Sequence, residues 1–323
     1  MSRPTVLLPG PMNETVLAGT AEHFDVIRLW ESDDPDAVLA ERAQDIAAVA
    51  TGGTTIDGAF LDRLPSLRLV ASFGVGYDKI DAQAAAERGV IVTNTPGVLD
   101  DEVADTALGL LLMTARELPQ AERHLRAGAW TERAYPLTKA TLNGRTMGIL
   151  GLGRIGEAIA KRAEAFGISV AYHNRHRKDV AYRYYPTLPE LAAAVDILMI
   201  VIPGGDETRH LVDAEVLKAL GADGILINVA RGTVVDEEAL VEALRSRTIL
   251  SAGLDVFENE PEVHPGLLEL DNAVLLPHVG SATIPTRNAM GQLVVDNLTH
   301  YFTHGTPLTP VHESADLVRN LPA

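Results

Sequence analysis

The 323-residue chain contains no cysteine and little positive charge, and it has no long hydrophobic run. Without thiols there can be no disulfide, no thiolate nucleophile and no zinc ribbon. That absence is compatible with a reducing compartment, and a cytoplasmic location is expected. Lysine and arginine number 27 against 44 acids, a formal net charge of -17, which argues against a general nucleic-acid or anionic-membrane surface. The longest apolar stretches, around "ALGLLLMTA" and "ILMIVIP", are too short to span a bilayer. The opening "MSRPTVLLPGPMNE" lacks the apolar core of a secretory signal. Neither nucleic acid nor membrane is expected as a partner, and no metal site is apparent.

What is present is a regular alternation. Short β-branched runs alternate with Ala- and charge-rich helical patterns, the mark of parallel α/β sheets. One set reads "TVLLPG", "FDVIRLW", "DIAAVATGG", "LRLVASFGVG" and "VIVTNTPG"; a second reads "TMGILGLG", "SVAYHNR", "ILMIVIPGG", "GILINVARG", "ILSAGLDVF" and "AVLLPHVG". Such continuous apolar runs suit strands covered on both faces. Between the sets, Asp100 to Leu125 is expected to form one long helix, opened by Asp100, Asp101 and Glu102 and apolar nearly all round in its first half. It reads as an interdomain crossing that also meets another subunit, with Pro119 either kinking or ending it. A second long helix near "TRNAMGQLVVDNLTHYF" would return the chain to the first domain.

The unusual clusters stand directly after strands: Gly74-Val75-Gly76, Gly151-Leu152-Gly153, Asn174-Arg175, Pro203-Gly204-Gly205, Arg231-Gly232, Glu258 to Pro261, and His278. Ligands of open α/β sheets bind outside the carboxyl ends of the strands, so these loops are expected to converge. "GLGRIG" places Gly151, Gly153 and Gly156 in a dinucleotide-binding spacing between a strand and an amphipathic helix. Gly151 would make the tight turn, Gly153 would let a pyrophosphate approach, and Gly156 would permit close helix–strand packing. The helix start offers unpaired N–H groups to the phosphates. At the end of the next strand, where an acid would hold the ribose diol of NAD, stands Asn174, followed by Arg175 and Arg177. An amide beside guanidiniums favours a 2′-phosphate, so NADP(H) is the preferred cofactor, with NAD(H) possible.

Arg231, Glu260 and His278 each read singly as a loop charge, an acidic turn or an ordinary imidazole. Together they supply what a 2-oxo acid reductase needs. These are a guanidinium for carboxylate and carbonyl, an imidazolium acid, and a carboxylate that keeps the imidazole protonated.

The motifs "FGVGYDKID", "GILGLGRIG", "INVARGTVVDEEAL", "AGLDVFENEP" and "LLPHVGSAT", in order from Phe73 to Thr283, resemble the D-isomer-specific 2-hydroxyacid dehydrogenase family, most closely its glyoxylate/hydroxypyruvate reductase branch. The resemblance implies two Rossmann-like or flavodoxin-like α/β domains with parallel sheets and the active site in the cleft between them. Residues 1–99 plus 287–323 would bind substrate, and residues 100–286 the dinucleotide. It implies that His278 is the acid/base, Glu260 its support and Arg231 the substrate clamp. Gly74, Val75 and Gly76 would meet the substrate carboxylate. Leu152, Arg154 and Ile155 would face the pyrophosphate. Further cofactor contacts are implied at Val103, Ile202, Pro203 and Thr208, at Val229 and Ala230, and at Gly280 and Ser281, with Asp255 near the nicotinamide. The family also implies a homodimer, with the Asp100–Leu125 helix and the arm around Trp130 at the interface.

The expected activity is NADPH-dependent reduction of glyoxylate or hydroxypyruvate to glycolate or D-glycerate. A reductase of larger 2-oxo acids, such as aryl pyruvates or sugar acids, is the alternative within enzymes. A dinucleotide-sensing, corepressor-like binding protein is the alternative outside catalysis. Two departures from the family pattern bear on this reading. Asn174 replaces the acid usual with NAD, and "TERAYP" puts Arg133 and Tyr135 where some hydroxypyruvate reductases carry a second aromatic.

Overall fold

The computed structural model describes residues 3–321. The chain forms two compact units, one running through Leu99 and resuming at Thr283, the other Asp100–Ala282.

In the first unit β1 (Thr5–Leu8), β2 (Asp25–Arg28), β3 (Ile46–Thr51), β4 (Leu69–Ser72) and β5 (Ile91–Thr93) pair in the order β2-β1-β3-β4-β5. Every pairing is parallel, and the order is that of a flavodoxin-like doubly wound sheet. Side chains alternate between two buried layers. Val6 and Leu8 join Val16, Val294 and Leu298 on one face, while Leu7 joins Leu39, Leu61 and Val92 on the other. Burial of both faces is why these strands read as unbroken apolar runs. Helices begin at side-chain caps: Asn13, Asp34, Asp57 and Asp81 each accept a first-turn N–H.

The second unit holds β6 (Thr146–Leu150), β7 (Ser169–His173), β8 (Arg183–Tyr184), β9 (Ile197–Ile200), β10 (Ile225–Asn228), β11 (Ser251–Leu254) and β12 (Ala273–Leu275). Their order is β12-β11-β10-β9-β6-β7-β8, again wholly parallel. From β6 the chain steps outward to β7 and β8, then returns to β9 and runs the other way. The switch point therefore lies between β6 and β9, where a doubly wound sheet opens its ligand crevice. The two-residue β8 was not anticipated, being too short for any periodicity to show.

The single helix expected over Asp100–Leu125 is two helices, Asp100–Ala115 and Leu118–Arg126. Pro119 explains the break. Inside one continuous helix it would lose a hydrogen bond to Ala115 and clash with that carbonyl; in the first turn of a new helix its missing N–H is no loss. Glu117 makes the joint with φ 52°. The first helix buries Ala104, Ala107, Leu108, Leu110 and Leu111, whereas the second buries no residue. Among the described residues no helix is long and apolar enough to cross a membrane.

Candidate active site

Because the second sheet is parallel throughout, the carboxyl ends of its strands share one edge. Gly151 follows β6, Asn174 follows β7, Ile202 and Pro203 lie past β9, Val229 to Arg231 follow β10, Asp255 follows β11, and His278 lies past β12.

The glycine turn is sterically specific. Gly151 has φ 101°, and a Cβ there would lie 2.6 Å from the Val201 carbonyl oxygen; one on Gly156 would lie 2.4 Å from the Gly151 carbonyl oxygen. At Gly153 a Cβ would meet nothing within 4 Å, so the backbone there is open on its outer side. The amides of Arg154 and Ile155, opening the helix Arg154–Ala165, donate to no acceptor among the described residues. An exposed backbone beside the positive end of a helix fits a pyrophosphate.

The Leu152 peptide is pinned from both sides. Its N–H donates to Asn174 Oδ1 at 2.6 Å, and its carbonyl accepts from Lys178 Nζ at 3.1 Å. The Asn174 amide is thus turned onto the glycine turn, whereas the sequence reading aims it at the ribose. The buried Tyr172 hydroxyl accepts the Lys178 N–H at 2.9 Å and donates to the Lys178 carbonyl at 3.1 Å, which closes the loop. Arg175, His176 and Arg177 remain exposed at its tip. Arg175 lies 3.6 Å from Glu207, both largely exposed, a pairing of at most about 1 kcal/mol that a dianion would readily displace. Thr208 donates to the Pro203 carbonyl at 2.9 Å and so folds the loop after β9 on itself.

The candidate catalytic residues are held by their neighbours. Asn228, 1% exposed, accepts the Ala230 N–H at 3.0 Å and donates to the Arg231 carbonyl at 2.9 Å, shaping the turn that bears Arg231. The half-buried Arg231 guanidinium donates to the Ala230 carbonyl at 2.7 Å. Glu260 accepts the Phe257 N–H at 3.0 Å through one oxygen, and its other oxygen lies 2.7 Å from His278 Nδ1. Burial pushes the Glu260 carboxyl up. The His278 and Phe257 hydrogen bonds, with the charges of His278 and Arg231, outweigh it and hold the carboxyl below its usual range. An ionised Glu260 makes Nδ1 the donor and leaves His278 Nε2 with no partner among the described residues.

His278 has φ 53°, a left-handed conformation costing on the order of 1 kcal/mol for a non-glycine residue. The loop beyond it is fastened by Asp255, 2% exposed, which accepts the Val279 and Gly280 N–H groups at 2.7 Å each. Burial pushes the Asp255 carboxyl above its usual range despite these two amides. A Cβ on Gly280 would lie 3.0 Å from Asp255 and 3.7 Å from Val103, so these three residues share one spot.

In the first unit, Gly74 has φ 154° and donates to Thr95 Oγ1 at 3.1 Å, while the Val75 carbonyl accepts from Asn94 at 2.8 Å. The Val75 and Gly76 amides donate to no described residue, leaving two adjacent donors suited to a carboxylate.

Sequence reasoning missed Asn228 and also the buried Glu237, which accepts the Glu258 N–H at 2.8 Å. A polar residue closing the apolar run "ILIN" was the available signal for the first. Glu237 lies in an acidic helix start, where a carboxylate is ordinary and nothing marks it as buried.

The D-isomer specific 2-hydroxyacid dehydrogenase, NAD binding domain family matches residues 108–280. A glyoxylate/hydroxypyruvate reductase A from Arabidopsis thaliana is 46% identical over 95% of this chain and 98% of its own length. A hydroxyphenylpyruvate reductase from Plectranthus scutellarioides is 44% identical over the same shares. Among solved structures, the NADPH-dependent glyoxylate/hydroxypyruvate reductase of Sinorhizobium meliloti, in complex with NADP and malonate, is 52% identical. It superposes with a TM-score of 0.92 over 97% of this chain and 98% of that one.

Proposed function

Because the chain belongs to the D-isomer-specific 2-hydroxyacid dehydrogenase family, we propose that it reduces a small 2-oxo acid, glyoxylate or hydroxypyruvate, to glycolate or D-glycerate, with NADPH preferred and NADH possible. The observation that carries this reading is the 2.7 Å pairing of His278 and Glu260 at the sheet edge that also bears Arg231 and the glycine turn. When bound, the reduced nicotinamide supplies the hydride. His278 Nε2 gives a proton to the carbonyl oxygen as negative charge builds there, and Arg231 holds carboxylate and carbonyl by charge-assisted hydrogen bonds. Glu260, ionised, holds the ring in place and stabilises its cationic form. Gly151, Gly153 and Gly156 with the Arg154 and Ile155 amides receive the pyrophosphate, and Arg175 and Arg177 receive a 2′-phosphate.

Initial rates with glyoxylate, hydroxypyruvate, phenylpyruvate and 2-ketogluconate test the substrate assignment. The two small acids should have the highest kcat/KM; a preference for phenylpyruvate would assign the site to aryl substrates instead.

The protein acts as a homodimer in the cytoplasm in this reading. The dimer is supported by Trp130, 66% exposed, and Leu137, 98% exposed, two large apolar side chains close together on one segment. Light scattering at micromolar concentration should report twice the chain mass of 34.6 kDa, and a monomer there would overturn the dimer.

A further inference from the structure

We propose that Glu258 is a positioning residue for the His278–Glu260 pair, a role that rests on the acid/base reading above. Glu260 sits in an exposed stretch, Asn259 to Glu262, where beyond its own bonds to the Phe257 N–H and His278 its place depends on the chain that leads into it. Two residues earlier, Glu258 is fastened through both its backbone and its side chain. Its N–H donates to Glu237, which is 5% exposed. Its carboxylate, 15% exposed, lies 2.8 Å from His210 Nε2 and is ion-paired with Arg209.

The segment that supplies this clamp is itself anchored beside the substrate-binding turn. The His210 N–H donates to the Thr233 carbonyl at 2.8 Å and the Val212 N–H to the Val234 carbonyl at 3.0 Å. Glu258 therefore ties the loop bearing Glu260 to the segment after Arg231. The two histidines are matched: His210 has φ 51° and His278 φ 53°, and they pair with alternate glutamates of one loop. The hydrogen-bond partners of Glu258 are Arg209, His210 and Glu237 rather than Arg231, Glu260 or His278, so it acts through where Glu260 stands, and thereby on a His278 whose charge also meets that of Asp255.

The test compares kcat–pH profiles of Glu258→Ala, Glu258→Gln, Glu260→Gln and the double variant Glu258→Ala/Glu260→Gln. Glu258→Ala should lose roughly tenfold or more in kcat, shift its alkaline limb downward as Glu260→Gln does, and leave the cofactor KM within about twofold. Glu258→Gln, whose carbonyl oxygen still accepts from Arg209 and His210, should retain most of the rate. The double variant should be no slower than Glu260→Gln alone, because both changes remove one function. If Glu258→Ala does not fold, Arg209→Ala/His210→Ala removes the same clamp from an exposed loop, with the same expected profile. A shifted limb in Glu260→Gln with a wild-type limb in Glu258→Ala, or additive losses in the double variant, overturns the positioning role alone. An unshifted limb in Glu260→Gln overturns the acid/base reading and the positioning role with it.

Discussion

Gly232 stands against the backbone of Phe257 with no room for a side chain: a Cβ on it would lie 1.8 Å from the Phe257 carbonyl carbon. The turn that carries Arg231 and the loop that carries Glu260 thereby meet main chain to main chain. Gly232→Ala must push them apart, and a displacement near 1 Å between catalytic groups lowers the rate on the order of a hundredfold. Steady-state kinetics beside a cofactor titration should show kcat/KM falling steeply while cofactor affinity holds. Full activity in Gly232→Ala would mean that the two loops do not need this contact.

Glu260→Gln keeps shape and removes charge. His278 should then give up its proton at lower pH, so the alkaline limb of the reduction profile moves downward. The stability effect has the opposite pH sense. A carboxyl depressed in the folded protein contributes stability above its unfolded value, and that contribution is lost as pH falls through the folded value. Thermal melts should show Glu260→Gln less stable than wild type at neutral pH, the two converging below the ordinary carboxylate range. Divergence on acidification would contradict the charge assignment.

Asp255→Asn tests the fastening behind His278. An amide can accept from only one of the Val279 and Gly280 N–H groups and sets its own donor against the other, leaving a buried N–H unmet at a cost of about 1–3 kcal/mol. Both Tm and kcat should fall. The wild-type carboxyl is raised by burial, so its folded form keeps the proton longer, and wild-type stability declines as pH rises through the folded value. The Tm gap should therefore narrow from acid to neutral pH; a gap that widens would contradict the burial effect.

Cofactor choice is tested by Asn174→Asp with Arg175→Ala. Aspartate can still accept the Leu152 N–H, so the glycine turn should survive. It sets a negative charge where a 2′-phosphate would approach, and the second change removes a guanidinium. Loss of charge-assisted contacts of roughly 1.5–3 kcal/mol each should raise the NADPH KM about a hundredfold while NADH turnover is largely kept. Equal loss with both cofactors would make this basic loop a solvated surface.

Much of this was legible in the amino-acid order. Strands buried on both faces leave apolar runs, so eleven of the twelve strands could be read, and parallel connections place the strand ends of each sheet at one edge of that sheet. Gly151 and Gly156 were legible because a fixed spacing carries a steric demand. What escaped depends on tertiary partners. The break at Glu117 follows from Pro119, but only the packed molecule decides between a kink and a new helix. Asn174 has an amide that suits a ribose and a peptide equally, and only the position of Leu152 turns it inward. Glu237 looks like an ordinary acid of a strongly acidic chain until its burial shows that it holds the backbone of Glu258.

Reduction of hydroxypyruvate with NADPH carrying deuterium on the transferring face of C4 tests the proposed reaction most directly. The expected product is D-glycerate with deuterium at C2, formed faster than with equally labelled NADH and abolished in His278→Ala with cofactor binding retained. D-glycerate without the label, or label transfer undiminished in His278→Ala, would contradict hydride reduction supported by this histidine.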